Sequence, residues 1–319
     1  MNPRVAVLIP CYNEEVAIAK VVQDFRAVLP DAVVYVYDNN STDGTVKAAR
    51  AAGAVVQQET LQGKGHVIRR MFRDIDADFY LMVDGDDTYE AAVAPHMLAL
   101  AQGGQHDLVN CIRTEIEDTA FRSGHRWGNA MLTGAVRWFF GDRVHDMLSG
   151  YKVLSRRFVK SFPALSQGFD IETELTIHAL ELTMPVAHLR GHYKGRPAGS
   201  DSKLRTYSDG WRILTTILKL VRHERPLLFF GVIAGFLAVA STLISIPLIS
   251  TYLKTGLVPR LPTAVLSTGI MIVAALALLA GIVLDTVTRG RREVRMLAYL
   301  YYSPFDAAEG RVTPAPPSP

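Results

Sequence analysis

Along the N-terminal part of the chain, short apolar runs alternate with segments in which apolar residues recur every three or four positions. Val5–Ile9 predicts a first strand, and Glu14–Val28 predicts an amphipathic helix with Asn13 as its candidate N-cap. Val33–Tyr37 predicts a second strand, Thr45–Ala52 a helix, Ala54–Gln57 a third strand and His66–Ile75 a further helix. Phe79-Tyr80-Leu81-Met82-Val83 then reads as a strand buried on both faces, ending abruptly in Asp84-Gly85-Asp86-Asp87. Strands alternating with helices from the start predict an α/β fold: a mostly parallel sheet flanked by helices.

In open α/β sheets, ligands bind beyond the carboxyl ends of the strands. Successive strand ends put Asn13, Asp38, Lys64 and Asp84–Asp86 on one edge. Carboxylates crowded there repel one another unless a cation sits among them, and their oxygens suit Mg²⁺ or Mn²⁺ shared with substrate phosphates. The tetrad is equally the composition of a solvated acidic turn, so on its own it decides nothing. Together with Asn13, Asp38 and Lys64 it points to a site for a phosphorylated ligand. Other nucleotide motifs are excluded. Gln62-Gly63-Lys64-Gly65-His66 lacks the upstream glycine and the following Ser or Thr of a P-loop, and no GxGxxG follows the first strand. The later ligands of an EF-hand loop are missing as well.

Composition changes sharply after Arg225. Neither Pro226–Leu253 nor Leu261–Leu284 holds a charged residue, and each exceeds the roughly 20 residues that cross a bilayer core. Two membrane spans are predicted. Arg222 and Arg225 precede the first, and Arg289, Arg291, Arg292 and Arg295 follow the second, whereas the connecting loop has only Lys254 and Arg260. By the positive-inside rule both ends face the cytoplasm at the inner membrane. Tyr207–Val221, with Trp211, Ile213, Leu214, Ile217 and Leu218 at helical spacing, suits a helix lying on the membrane surface. The expected organisation is an α/β domain over 1–206, a juxtamembrane helix over 207–225, the spans over 226–287 and a cytoplasmic tail over 288–319. A net charge of +3, without a basic run interleaved with aromatics, gives no sign of nucleic-acid binding. Cys11 and Cys111 lie far apart, with no metal-ligand spacing, and read as reduced core residues. No cleavable signal sequence is expected, because the first apolar run is short.

Several motifs, in order, resemble those of family 2 glycosyltransferases with the GT-A fold. They are Val7-Leu8-Ile9-Pro10-Cys11-Tyr12-Asn13-Glu14-Glu15, Asp38-Asn39-Asn40-Ser41-Thr42-Asp43-Gly44-Thr45, Gly63-Lys64-Gly65 and Asp84-Gly85-Asp86. Ser149-Gly150-Tyr151-Lys152, Gly168-Phe169-Asp170-Ile171-Glu172-Thr173-Glu174-Leu175 and Gly199-Ser200-Asp201-Ser202-Lys203-Leu204 continue the series. With two trailing spans the chain is similar to polyprenyl-phosphate glycosyltransferases of the dolichyl-phosphate mannose synthase and GtrB type. The resemblance implies a Rossmann-like, mostly parallel GT-A sheet followed by two transmembrane helices. It implies that Pro10, Tyr12, Asn13, Glu14 and Asp38 hold the base and ribose, and that Lys64 reaches the base or diphosphate. Asp84, Gly85 and Asp86 match the DxD element, with Asp86 on the metal and Asp84 on ribose or metal. Thr88 stands where the family often has Gln, so that Asp87 or water would complete the metal's ligands.

If the acceptor is a lipid phosphate, it is already anionic and needs cations more than a strong base. Arg113, Arg126, Arg196 and Lys203 are the candidates, with Ser202 as a donor. Asp146 precedes Leu148-Ser149-Gly150 as the family's presumed catalytic carboxylate does, and Glu172 and Glu174 are rivals for that role. The implied activity is transfer of a sugar from a nucleotide sugar to polyprenyl phosphate with inversion, dependent on Mg²⁺ or Mn²⁺, at the lipid bilayer. UDP-hexose or UDP-N-acetylhexosamine is the favoured donor, and self-association is left open. Two other readings stay open at this point. One is a phosphatase of the haloacid dehalogenase type with Asp84 as nucleophile; the other is a non-enzymatic, membrane-anchored nucleotide-sugar binding protein.

Overall fold

A computed structural model describes residues 3–103, 106–115, 134, 146–165, 168, 171–195, 218–219 and 222–305. They separate into two compact units: residues up to 211 together with those from 295 onward, and the segment 212–294.

The first unit is built on a seven-stranded sheet of order β3-β2-β1-β4-β6-β5-β7. Its strands are β1 (Val5–Cys11), β2 (Val33–Asp38), β3 (Val55–Gln58), β4 (Phe79–Met82), β5 (Leu108–Glu115), β6 (Lys152–Ser155) and β7 (Val186–Tyr193). All neighbours are parallel except β6, which runs antiparallel to both β4 and β5. This is the α/β sheet expected, with each strand of the first half within two residues of its predicted bounds. The alternation along β1 and β4 explains why both read as unbroken apolar runs. Val7, Ile9, Phe79 and Leu81 enter one core, while Ala6, Leu8, Tyr80 and Met82 enter the other. Helices α1 (Ile18–Val28) and α4 (Ala94–Gln102) cover the first face. Helices α3 (Lys64–Asp74), α5 (Arg156–Ser161) and α6 (Ile171–Glu181) cover the second. Between them in sequence, α2 (Thr45–Ala51) joins β2 to β3.

Two local expectations are corrected. Helix α1 starts at Ile18, not Glu14, and Asn13 does not cap it. The Asn13 backbone is left-handed (φ 53°), which a helix start does not allow. Conversely, α3 starts two residues early, at Lys64, because Gly63 adopts a backbone (φ 133°) that lets the chain turn directly into the helix.

The second unit pairs α7 (Pro226–Thr255) with most of α8 (Leu261–Tyr301). Both reach a mean hydropathy of 2.5, yet only 11% of each apolar window is buried. A soluble core helix of that composition would be mostly buried, so these are candidate membrane spans. On α8 the buried residues Ser267, Ala274, Gly281 and Thr288 recur every seven positions, facing Ala234 and Ser241 of α7. Ser241 Oγ donates to the Ser267 carbonyl at 2.7 Å and Ser245 Oγ contacts Ser267 Oγ at 3.1 Å. Small residues and interhelical hydrogen bonds are how helices pair in lipid.

From Arg295 onward the chain belongs to the first unit. Arg295 pairs with buried Glu181 at 2.5 Å, Tyr299 donates to Asp107 at 2.7 Å, and Phe305 packs edge-on against Phe79. Met296 and Tyr299 sit against the α3–α5–α6 core.

Candidate active site

The carboxyl ends of β1, β2 and β4 share one edge of the sheet. Because β6 is antiparallel, its start lies there too: Lys152 pairs in register with Met82, the last residue of β4. Left-handed backbone collects at this edge. Asn13, Asn40, Asp87 and Asp146 all have φ between 53° and 64°. Such outliers persist only where surrounding contacts hold them, and they gather at functional sites.

The loops after β1 and β2 are laced together. Asn13 N donates to Ser41 Oγ (2.8 Å), Thr42 N to Asn13 Oδ1 (2.8 Å) and Glu14 N to Thr45 Oγ1 (2.8 Å). Asn39 ties in the third loop: its Oδ1 accepts from Gly63 N at 2.7 Å, while its Nδ2 donates to the carbonyls of Glu59 and Leu61. Asp38 is 1% exposed. Its Oδ2 accepts from Ser41 N at 3.1 Å, but Oδ1 has no hydrogen-bond partner among the described residues. A buried carboxylate oxygen of that kind is an acceptor to which a ligand N–H or O–H can bind. Pro10 is the penultimate residue of β1 and half-exposed Tyr12 follows the strand's last residue, Cys11, so both border the same loops.

At the end of β4 the two aspartates have different environments. Asp84 Oδ1 accepts from Lys64 Nζ at 2.5 Å, and the same ammonium contacts Glu172 Oε1 at 2.5 Å. Burial opposes the charge on Lys64, but the two carboxylates outweigh it and raise its pKa. Asp86 Oδ1 accepts from Thr88 Oγ1 at 2.6 Å and from Thr88 N at 3.3 Å. Thr88 therefore orients Asp86. Asp87, weighed above as a replacement ligand, instead pairs with Lys20 of α1 at 2.8 Å. Gly85 is required by closeness, since a Cβ there would lie 2.7 Å from Cys11 Sγ. A Cβ on Gly150 would overlap the Asp84 carboxylate, so the β6 approach presses directly on it.

On the β5–β6 side, Asp146 and Arg113 form a two-pronged ion pair, Nη2–Oδ1 2.6 Å and Nε–Oδ2 2.8 Å, with Arg113 N also donating to Oδ2. Burial works against the Asp146 charge, but the Arg113 hydrogen bonds and charge hold its carboxyl below the ordinary value. Arg113 also lies over the Tyr193 ring, 5.4 Å from its centroid. Beneath the pair, fully buried Lys152 donates to Asn110 Oδ1 at 2.5 Å, and Asn110 Nδ2 donates to the Asp146 carbonyl at 3.0 Å. Burial lowers the Lys152 pKa to about 8. Sequence reasoning gave Asn39, Asn110 and Lys152 no role. For Lys152 the signal was present: a lysine that closes the Ser149-Gly150-Tyr151-Lys152 motif and opens the apolar strand Lys152–Ser155.

Of the candidates, Asn13, Glu14, Asp38, Lys64, Asp84, Gly85, Asp86 and Glu172 lie at the strand ends, in the loops that leave them or on the helix starts, while Arg113 lies near the end of β5 and Asp146 in the loop before β6. Arg126, Arg196, Ser202 and Lys203 lie outside the described residues, as does most of 207–221. Glu174, the rival to Asp146, accepts from Leu165 N instead. Among the described residues no three His, Cys, Asp or Glu side chains form a group able to hold a metal unaided. Asp84 and Asp86 nevertheless supply the hard oxygens that Mg²⁺ and Mn²⁺ take when substrate phosphates and water complete the shell. The donor set fits such an ion when a diphosphate is present.

Residues 6–161 match Glycosyl transferase family 2. The chain is 34% identical over 240 residues to the glycosyltransferase AglJ of Haloferax volcanii, covering 75% of this chain and 78% of that protein. It is 26% identical over 220 residues to a dolichyl-phosphate hexose transferase of the same organism, covering 69% and 95% respectively. Among solved structures, glucosyl-3-phosphoglycerate synthase from Mycobacterium tuberculosis superposes with a TM-score of 0.57. That structure, solved with Mn²⁺, UDP-glucose and phosphoglyceric acid, is 22% identical and covers 68% of this chain and 79% of that one. At this identity it supports the fold, a GT-A sheet.

Proposed function

Given that the chain belongs to glycosyl transferase family 2, we propose that it moves a sugar from a UDP-sugar to a polyprenyl phosphate at the cytoplasmic face of a membrane. Membership as a glycosyltransferase sets aside the phosphatase and the non-enzymatic reading. The observation that carries the proposal is the strand-end cluster of Asp84, Asp86, Lys64 and Arg113, in a chain that continues into two apolar helices.

The unpartnered, buried Asp38 Oδ1 suits a base with a ring N–H, uracil or guanine, and the UDP-glucose held by the M. tuberculosis synthase favours uracil. A carboxylate accepts from the ring N–H of uracil, whereas cytosine presents an acceptor at that position. Lys64 would bind the diphosphate, and Asp84 and Asp86 would hold a Mg²⁺ or Mn²⁺. When bound, that ion supplies Lewis-acid stabilisation of the charge developing on the leaving diphosphate. The M. tuberculosis synthase carries Mn²⁺ and UDP-glucose together, in keeping with this.

The acceptor reading rests on the two apolar helices and on likeness to a dolichyl-phosphate hexose transferase. A lipid phosphate arrives ionised, so the Arg113 guanidinium can orient it without any proton being removed. Asp146, kept ionised by Arg113, holds that guanidinium flat and fixes its direction. We assign it this positioning role, with Arg126, Arg196, Ser202 and Lys203 further phosphate contacts. The membrane tether keeps the site where lipid phosphate is concentrated. In-line attack opposite the diphosphate would invert the anomeric centre.

The test is incubation of purified full-length protein with polyprenyl phosphate, Mn²⁺ and a panel of UDP- and GDP-sugars. Release of UDP that depends on the lipid and is abolished by EDTA supports the proposal. Turnover that is unaffected by EDTA overturns the metal assignment, and turnover without lipid phosphate overturns the acceptor.

A further inference from the structure

Lys64 and Glu172 are 108 residues apart, and each sits in the first turn of its helix, α3 or α6. They meet over the Asp84 carboxylate, with Lys64 Nζ 2.5 Å from an oxygen of each acid. The Lys64 and Glu172 side chains are 10% and 6% exposed, and Asp84 is 29% exposed. An ammonium between two acids, screened from water, is the arrangement a bound cation would otherwise complete. A divalent ion approaching Asp84 from solution meets this like charge within a few ångströms, at an effective dielectric where repulsion is felt. It also finds no group of three protein ligands among the described residues.

We propose that Lys64 competes with the divalent cation for Asp84 and Glu172, so that metal and nucleoside diphosphate bind as a coupled pair. The diphosphate supplies both missing parts. Its charge gives the ammonium another partner, releasing Asp84, and its oxygens complete the metal's coordination. Neither ligand binds well alone, and each tightens the other by the same factor, because linkage is reciprocal. The coupling keeps a divalent ion from being bound unproductively between turnovers. This rests on the metal-diphosphate reading given above.

The test uses full-length protein in detergent micelles, with free Mn²⁺ followed by electron paramagnetic resonance, with and without UDP. Wild-type protein is expected to bind Mn²⁺ weakly alone and about tenfold tighter with UDP, a factor within the usual range for linked sites. The neutral variants Lys64→Met and Lys64→Gln, the second keeping a hydrogen-bond donor, should bind Mn²⁺ alone about tenfold tighter than wild type and lose most of the UDP effect. Lys64→Arg, which keeps the charge, should remain weak alone. If either neutral variant, folded by circular dichroism, binds Mn²⁺ alone no tighter than wild type while wild type retains its UDP effect, this proposal falls and the metal-diphosphate reading stands. A wild-type UDP effect below about twofold also overturns the coupling. Absence of Mn²⁺ binding to wild type even with UDP overturns both.

Discussion

The two units treat charge and small residues in opposite ways. In the catalytic unit, charge is buried and matched. Lys64 lies between Asp84 and Glu172, Arg113 clamps Asp146, and Arg295 and Arg157 neutralise Glu181 and Asp107. In the 212–294 unit the apolar side chains are outside: Phe236 is 75% and Val232 66% exposed, while Ser241 and Gly281 are inside. The second pattern is that of candidate membrane spans. Water rewards burying apolar surface, so a buried ion in the first unit has to have a partner or a ligand waiting. Lipid removes that reward, and helices pair through small residues and hydroxyls. Unmatched acceptors in the catalytic unit, such as Asp38 Oδ1, then become the places to look for substrate.

The sharpest way to break this comparison is to remove charge at the sheet edge. Asp86→Ala should lower glycolipid formation by about 10³-fold, the scale of losing one pre-aimed electrostatic contact or metal ligand, with little change in unfolding temperature. A loss of only a few-fold would mean that the acidic strand end is a turn. Next comes the return of the chain to the catalytic unit. Arg295→Ala leaves the buried Glu181 carboxylate without its guanidinium, and should destabilise that unit by about 3 kcal/mol in chemical unfolding. Arg295→Ala paired with Glu181→Leu should recover most of it.

Lys152 sharpens the comparison through pH. Its folded pKa, about 8, lies below the ordinary 10.5, so between those values the unfolded chain binds more protons and stability rises with pH. Lys152→Met should lack this component, so wild type gains on the variant as pH is raised from 8 towards 10.5 in thermal melts. Parallel curves would show that Lys152 is not held against its charge. The smallest effect is expected in the spans. Ser241→Ala, which removes the bond to the Ser267 carbonyl, should cost about 0.6 kcal/mol in detergent unfolding, as interhelical bonds in membranes commonly do.

What could be read beforehand followed the same division. The two long apolar helices were legible from composition alone, because each is written as one uninterrupted apolar run. The succession of strands and helices in the first half, and the convergence of Asn13, Asp38, Lys64 and Asp84, followed from the alternation of apolar runs and helical periodicity. Three things did not. Asn13 looked like a helix cap because Asn serves both caps and left-handed turns, and only the tertiary bond to Thr42 decides between them. The antiparallel β6 was invisible, because no local pattern reports the direction of a partner strand, and with it went the role of Lys152. The docking of Arg295–Phe305 on the catalytic unit reads in sequence only as a basic and aromatic tail beyond the second span.

The central claim is the identity of the product. Mass spectrometry of the lipid fraction after incubation with polyprenyl phosphate, Mn²⁺ and the active UDP-sugar tests it most directly. The account predicts polyprenyl phosphate carrying one added sugar and still one phosphorus, its glycosyl bond inverted relative to the donor. Free sugar, a sugar on a soluble acceptor, or a lipid diphosphate would contradict it.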